Sequence, residues 1–259
     1  RHVVVAEEKR AAEVGREILR RGGNAVDAAV ATALALAVTF PEAGNLGGGG
    51  FLVAYSASAT GGKVRTFDFR ETAPAASTPT IYLDPSGSGK LLPRHRDGPR
   101  AAGVPGTVRG LGLAHASLGK LPWAEVVRPA ARLAREGFAV PPSLALSLND
   151  QLAPRRPGAS RREGDGRLAD FPGSVAAYGK PDGSPWRAGD VLRQPDLADT
   201  LDRIAAAGPD EFYTGATAEK IAAFSAARGG LITRDDLAAY RARERPPVHV
   251  RYRGPDVYG

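Results

Sequence analysis

Between Gly22-Gly23 and Pro41 the chain offers almost nothing that favours water. Residues 25–40 are mostly Ala, Val and Leu, and Asp27 is the one charge among them. Those 16 residues predict a helix about 24 Å long at 1.5 Å per residue. That is short for a membrane span, and the flanks are wrong for one. Asn24 predicts the N-cap, and Asp27, at the third helical position, suits the positive end of the helix dipole. A helix apolar on nearly every side must be buried on most of them, and its small side chains let neighbours approach closely.

The rest of the chain is read around that segment. Val3–Ala6 can start a strand, and Glu7 to Arg21 forms an amphipathic helix on Ala11, Val14, Ile18 and Leu19. Gly22-Gly23 closes that helix as a C-terminal cap. After Pro41, the run Gly47-Gly48-Gly49-Gly50 leads into a strand, Phe51–Tyr55, and a turn through Gly61-Gly62. Lys63 to Phe69 alternates as a second strand, with Arg65, Phe67 and Phe69 on one face and Val64, Thr66 and Asp68 on the other. Residues 81–103 read as a basic loop. Helices are expected over Gly106–Leu118 and over Trp123–Glu136, the second kinked or split at Pro129 and stopped at Gly137. Pro154–Gly173 reads as a polar loop. Further helices are expected from Pro195 to Ala207, over Thr217–Arg228, and after a Thr233/Asp236 capping box. Val248 to Tyr252 alternates as a last strand.

Composition removes several kinds of chemistry. The 259 residues contain no cysteine, which excludes disulfides, thiolate nucleophiles, iron–sulfur clusters and cysteine zinc sites. His2, His95, His115 and His249 lack metal-ligand spacing and read as isolated surface or packing residues. The net charge of +7 draws attention to Arg94-His95-Arg96, to Arg155-Arg156 with Arg161-Arg162, and to Arg241, Arg243 and Arg245. None is interleaved with aromatic residues, so they read as solvated loops and no nucleic-acid partner is expected. The start, Arg1–Ala6, does not read as a signal peptide, and no segment reads as a membrane span. The four-glycine run lacks the lysine and spacing of a phosphate-binding loop. Its N–H groups could approach a ligand; close packing in a crowded core is the simpler reading.

Arg70 is the most informative single residue. It stands where a half-buried strand gives way to a loop stiffened by Pro74, which holds Ala73 extended. A guanidinium fixed there can grip a carboxylate through two parallel charge-assisted hydrogen bonds. An ion pair with neighbouring Glu71 or Asp68 explains the residue equally well. From the residues alone the chain is a soluble, enzyme-like α/β protein with these two readings of Arg70 open.

Several long motifs add a resemblance. The runs Gly22–Ala31, Asn45–Phe51 and Asp68-Phe69-Arg70-Glu71-Thr72-Ala73-Pro74 resemble the γ-glutamyltranspeptidase family. So do Pro105–Val108, Leu133–Phe138, Gly208-Pro209-Asp210-Glu211-Phe212-Tyr213 and Gly230–Thr233, in order along practically the whole chain. The resemblance implies an α+β, four-layer αββα sandwich of the N-terminal-nucleophile hydrolase type, made as a self-cleaving precursor. This chain, 1–259, would be a single, incomplete domain supplying the large-subunit part. It implies γ-glutamyl transfer or hydrolysis from glutathione and related compounds, with water or an amino acid or peptide as acceptor and no cofactor or metal. The nucleophile would be the N-terminal Thr of a small subunit from the same precursor, outside these 259 residues. Arg70 would then hold the α-carboxylate of the γ-glutamyl group, Glu71 would position it, and the glycine run would pack beneath the site. Rival readings are a glutaryl-cephalosporin acylase or poly-γ-glutamate depolymerase of the same superfamily, or a non-catalytic scaffold subunit. A periplasmic or secreted location is expected, with the cytoplasm as the alternative.

Overall fold

The computed structural model describes residues 2–57, 62–92, 98–153 and 168–259. Gly61, the Arg94-His95-Arg96 cluster and the arginines of Pro154–Arg162 lie outside the described residues. Helix α1 is Lys9–Arg20, and the apolar segment forms α2, Ala25–Thr39. Strands β1, Phe51–Ser56, and β2, Lys63–Asp68, follow, and then α3, Thr107–Leu118, and α4, Trp123–Glu136. Next come β3, Phe138–Ala139, α5, Pro142–Leu152, α6, Pro172–Tyr178, β4, Val191–Leu192, and α7, Pro195–Ala207. The last elements are α8, Glu211–Thr214, α9, Ala216–Ala227, α10, Arg234–Ala239, and strands β5, Arg243–Arg245, β6, His249–Arg251, and β7, Asp256–Tyr258.

The chain folds around α2 as its composition demands. Val30, Ala31, Leu34, Ala35 and Val38 are fully buried, with α1 on one side, α4 on another, and α7 behind α4. The start of α2 is fixed by a reciprocal capping box between Asn24 and Asp27. Asp27 does more than favour the helix dipole. Its buried carboxylate accepts the backbone N–H of Asn24 at 2.9 Å, of Lys120 at 3.0 Å and of Leu121 at 3.3 Å. One carboxylate thereby ties α2 to the turn between α3 and α4. Gly22, at φ +90°, closes α1 in the left-handed conformation that favours glycine.

The main sheet runs β1-β2-β5, antiparallel throughout, and the fold is α+β. On one face Leu52 and Phe67 join the helical core; on the other Phe51, Val53 and Tyr55 stay exposed. Helices thus cover one face of one sheet, two of the four layers of an αββα arrangement. No helix among the described residues is long and apolar enough to cross a membrane.

Three expectations change. Val3–Ala6 forms no strand: the segment finds no ladder partner among the described residues, and Val4 instead packs over Gly15 of α1. Helix α4 is continuous through Pro129, neither split nor ended there. Proline removes one intrahelical hydrogen bond, while Val126, Ala130 and Ala134 are fully buried on either side of it and hold the helix together. Finally, Arg243 and Arg245 belong to a strand of the main sheet and not to a solvated loop.

Replacing Asp27 with Ala removes a buried carboxylate and leaves three backbone N–H groups without their acceptor. The protein is expected to lose about 2–4 kcal/mol of stability, read as a lower denaturant midpoint at unchanged slope. A loss below about 0.5 kcal/mol would show that those donors find other acceptors.

Candidate functional site

Strand β2 delivers Arg70 to the rim of the sheet, and charge pairs hold the strand in place. Arg65 grips Glu244 of β5 with two parallel bonds of 2.6 Å, and Arg245 donates to Asp68 at 2.5 Å. Both pairs run diagonally across the β2–β5 ladder, where long side chains reach each other. The ladder continues past β2, because Phe69 exchanges backbone hydrogen bonds with Gly50. Arg70 then turns away, its N–H donating to Asp68 Oδ1 at 3.1 Å, and Thr72 pairs with Val104.

The glycine run makes this close approach possible. A Cβ on Gly49 would lie 2.5 Å from the carbonyl oxygen of Phe69 and 2.7 Å from a carboxylate oxygen of Glu71. The carbonyl of Gly48 accepts N–H groups from Gly106 and Thr107 at the start of α3. The run therefore packs chain against chain, directly beneath the Arg70 segment.

The Arg70 side chain is 68% exposed and looks onto an open cleft of about 530 Å³. Its Nε lies 3.7 Å from Glu71 Oε2, a loose contact. Asp68, the other proposed ion-pair partner, takes the backbone N–H of Arg70. The structure thus brings Arg70 and Glu71 together while leaving the guanidinium open towards the cleft. Asp236, Tyr240, Arg241, Arg243, Arg245 and Asp68 also line the cleft. Asp236 is occupied by the α10 capping box and by the N–H of Ala75 at 2.7 Å, which joins the loop after Arg70 to α10.

Sequence reasoning singled out Arg70 and Glu71 here and missed Tyr240, Arg243 and Arg245. The signal for the arginines lay in the charge order Arg243-Glu244-Arg245, which complements Arg65 and Asp68. Away from the cleft, half-buried His115 sits 3.4 Å from Asp27 and edge-on to Trp123, and exposed His249 pairs with Asp256.

The Asp68 carboxyl lies below the usual carboxylate range, chiefly because the Arg70 N–H donates to it. Partial burial opposes the shift, and the hydrogen bond and charge of Arg245 reinforce it. A carboxyl depressed on folding stabilises the fold above its unfolded value of about 3.9 and loses that contribution as pH falls through the folded value. Asp68→Asn is therefore expected to lower the melting temperature at about pH 6, and the gap to wild type should close towards about pH 3. A gap independent of pH over that range would mean that the charge does not hold the strand end.

The chain is similar to known proteins over nearly its whole length. The family model described as gamma-glutamyltranspeptidase matches residues 11–259. The chain is 46% identical over 259 residues to a glutathione hydrolase proenzyme of Escherichia coli, covering 99% of this chain and 41% of that protein. It spans about two fifths of the length of the curated relatives it matches. Among solved structures, a γ-glutamyltranspeptidase of Helicobacter pylori superposes with a TM-score of 0.89 at 36% identity, over 99% of this chain and 69% of that one. A cephalosporin acylase of Bacillus halodurans superposes at 0.82 with 31% identity, over 100% of this chain and 47% of that one. On the family match and on these likenesses, the chain belongs to the γ-glutamyltranspeptidase family.

Proposed function

We propose that residues 1–259 are one incomplete domain, the large-subunit part of an enzyme that transfers or hydrolyses γ-glutamyl groups from glutathione and related compounds. The observation that carries this reading is the open guanidinium of Arg70. It hangs over a cleft from a strand end whose backbone is fixed by Asp68, within the family-matched region. Arg70 takes the α-carboxylate of the donor in a two-pronged grip. Glu71, 3.7 Å away, orients the guanidinium and does not touch the donor.

The chemistry itself belongs to a threonine that opens a small subunit cleaved from the same precursor. Its hydroxyl oxygen attacks the γ-carbonyl carbon while its own α-amine takes the hydroxyl proton. The amine leaving group departs with a proton, and the γ-glutamyl ester that remains is resolved by water or by an amino acid or peptide. None of these steps calls on a metal or cofactor. A periplasmic or secreted location agrees with this reading.

A glutaryl donor would present a carboxylate to the same guanidinium, and the likeness to a cephalosporin acylase keeps that second reading in view. Turnover of γ-glutamyl-p-nitroanilide against a glutaryl cephalosporin by the processed two-chain enzyme separates them. A processed protein that turns over neither would be a scaffold.

In that enzyme Arg70→Ala is expected to leave folding and self-cleavage intact and to weaken γ-glutamyl turnover by about 2–5 kcal/mol in kcat/KM. Wild-type kinetics in the variant would remove Arg70 from the site.

A further inference from the structure

Arg70 lies in a gap between two stretches of backbone pairing. Phe69 before it bonds to Gly50, and Thr72 after it bonds to Val104. The carbonyl of Arg70 accepts its hydrogen bond from a side chain far along the sequence, the hydroxyl of Tyr240, at 2.8 Å. We propose that Tyr240 is a positioning residue for the donor carboxylate, its hydroxyl fixing the peptide from which the Arg70 guanidinium reaches into the cleft. The inference rests on the reading of Arg70 as the carboxylate grip.

The hydroxyl is held from several sides. Tyr240 caps the C-terminus of α10 and is 4% exposed. Its ring stacks on Tyr213, with centroids 5.8 Å apart and planes 14° from parallel. Tyr213 is fully buried, and the Arg109 guanidinium lies 4.3 Å over its ring while pairing with Asp210. Residues of α3 and α8 and the C-cap of α10 thus build one stack whose end is a single O–H aimed at Arg70. Space around that O–H is already filled: a Cβ on Gly106 would lie 2.2 Å from it. Burial, with the charges of Asp68 and Glu71, pushes the phenol up to about 12, so it remains a protonated donor at neutral pH.

This arrangement matters because a long side chain inherits every error of its own backbone. Losing the hydroxyl frees the Arg70–Glu71 peptide to rotate between its two paired neighbours. The two prongs of the guanidinium then meet the carboxylate less often in register, and an ångström of misplacement is enough to be felt in kinetics.

The test is Tyr240→Phe in the processed two-chain enzyme, which removes one oxygen and keeps the stacked ring. With γ-glutamyl-p-nitroanilide as donor, KM is expected to rise about three- to tenfold with kcat within about twofold. Self-cleavage and the melting temperature should stay close to wild type. In an Arg70→Ala background the same change is expected to add less than about 1.5-fold to KM, because the hydroxyl acts only through Arg70. An unchanged KM in the single variant overturns the proposal. So does an equal rise in KM in both backgrounds, or a parallel loss of kcat and thermal stability, each of which marks a merely structural tyrosine. Wild-type kinetics for Arg70→Ala alone would instead defeat the reading of Arg70 beneath it.

Discussion

Asp68 is the residue on which the local architecture turns. It faces Phe51 of β1 and Arg243 of β5 across the ladder, takes the Arg245 guanidinium on one oxygen and receives the Arg70 N–H on the other. One half-buried carboxylate thereby ties the end of β2 to β5 and sets the exit direction of the chain at the sheet rim. The diagonal Arg65–Glu244 pair repeats the device further along the ladder. Exposed ion pairs contribute little to stability one by one. Here two of them work together with a backbone hydrogen bond, and their combined effect is geometric: they decide where Arg70 begins.

The glycines answer the same need from the other side. With Gly49 and Gly106 flanking Phe69 at distances no Cβ could occupy, the strand end is clamped between the glycine run and the start of α3. Tyr240 closes the remaining side through the Arg70 carbonyl. The backbone at Arg70 is therefore held tightly while its side chain stays open to the cleft. That combination suits a group that must be ready for a ligand before the ligand arrives.

Much of this was legible in local pattern. The apolar run of α2, its Asn24/Asp27 cap, the Gly22 and Gly137 stops, the alternation of β2 and the Thr233/Asp236 capping box are all signals carried within a few residues. What stayed hidden is carried across long separations. β5 has three residues, two of them arginine, and no apolar alternation; only pairing with a strand more than 170 positions earlier makes it a strand. The same distance hides Tyr240, because nothing near it in the chain announces a bond to Arg70. Pro129 misled in the opposite direction, since a local breaker was outweighed by the packing of α4 between α2 and α7. Arg70 was visible as a candidate because its context, a strand end followed by a proline-stiffened loop, is local.

The central claim is that the Arg70 guanidinium receives the α-carboxylate of a γ-glutamyl group. The most direct measurement is a crystal structure of the processed two-chain protein soaked with L-glutamate. The account predicts two parallel hydrogen bonds between the Arg70 guanidinium and the α-carboxylate, with the Tyr240 hydroxyl still on the Arg70 carbonyl. Glutamate bound with its α-carboxylate on other groups, and Arg70 pointing into solvent, would contradict it.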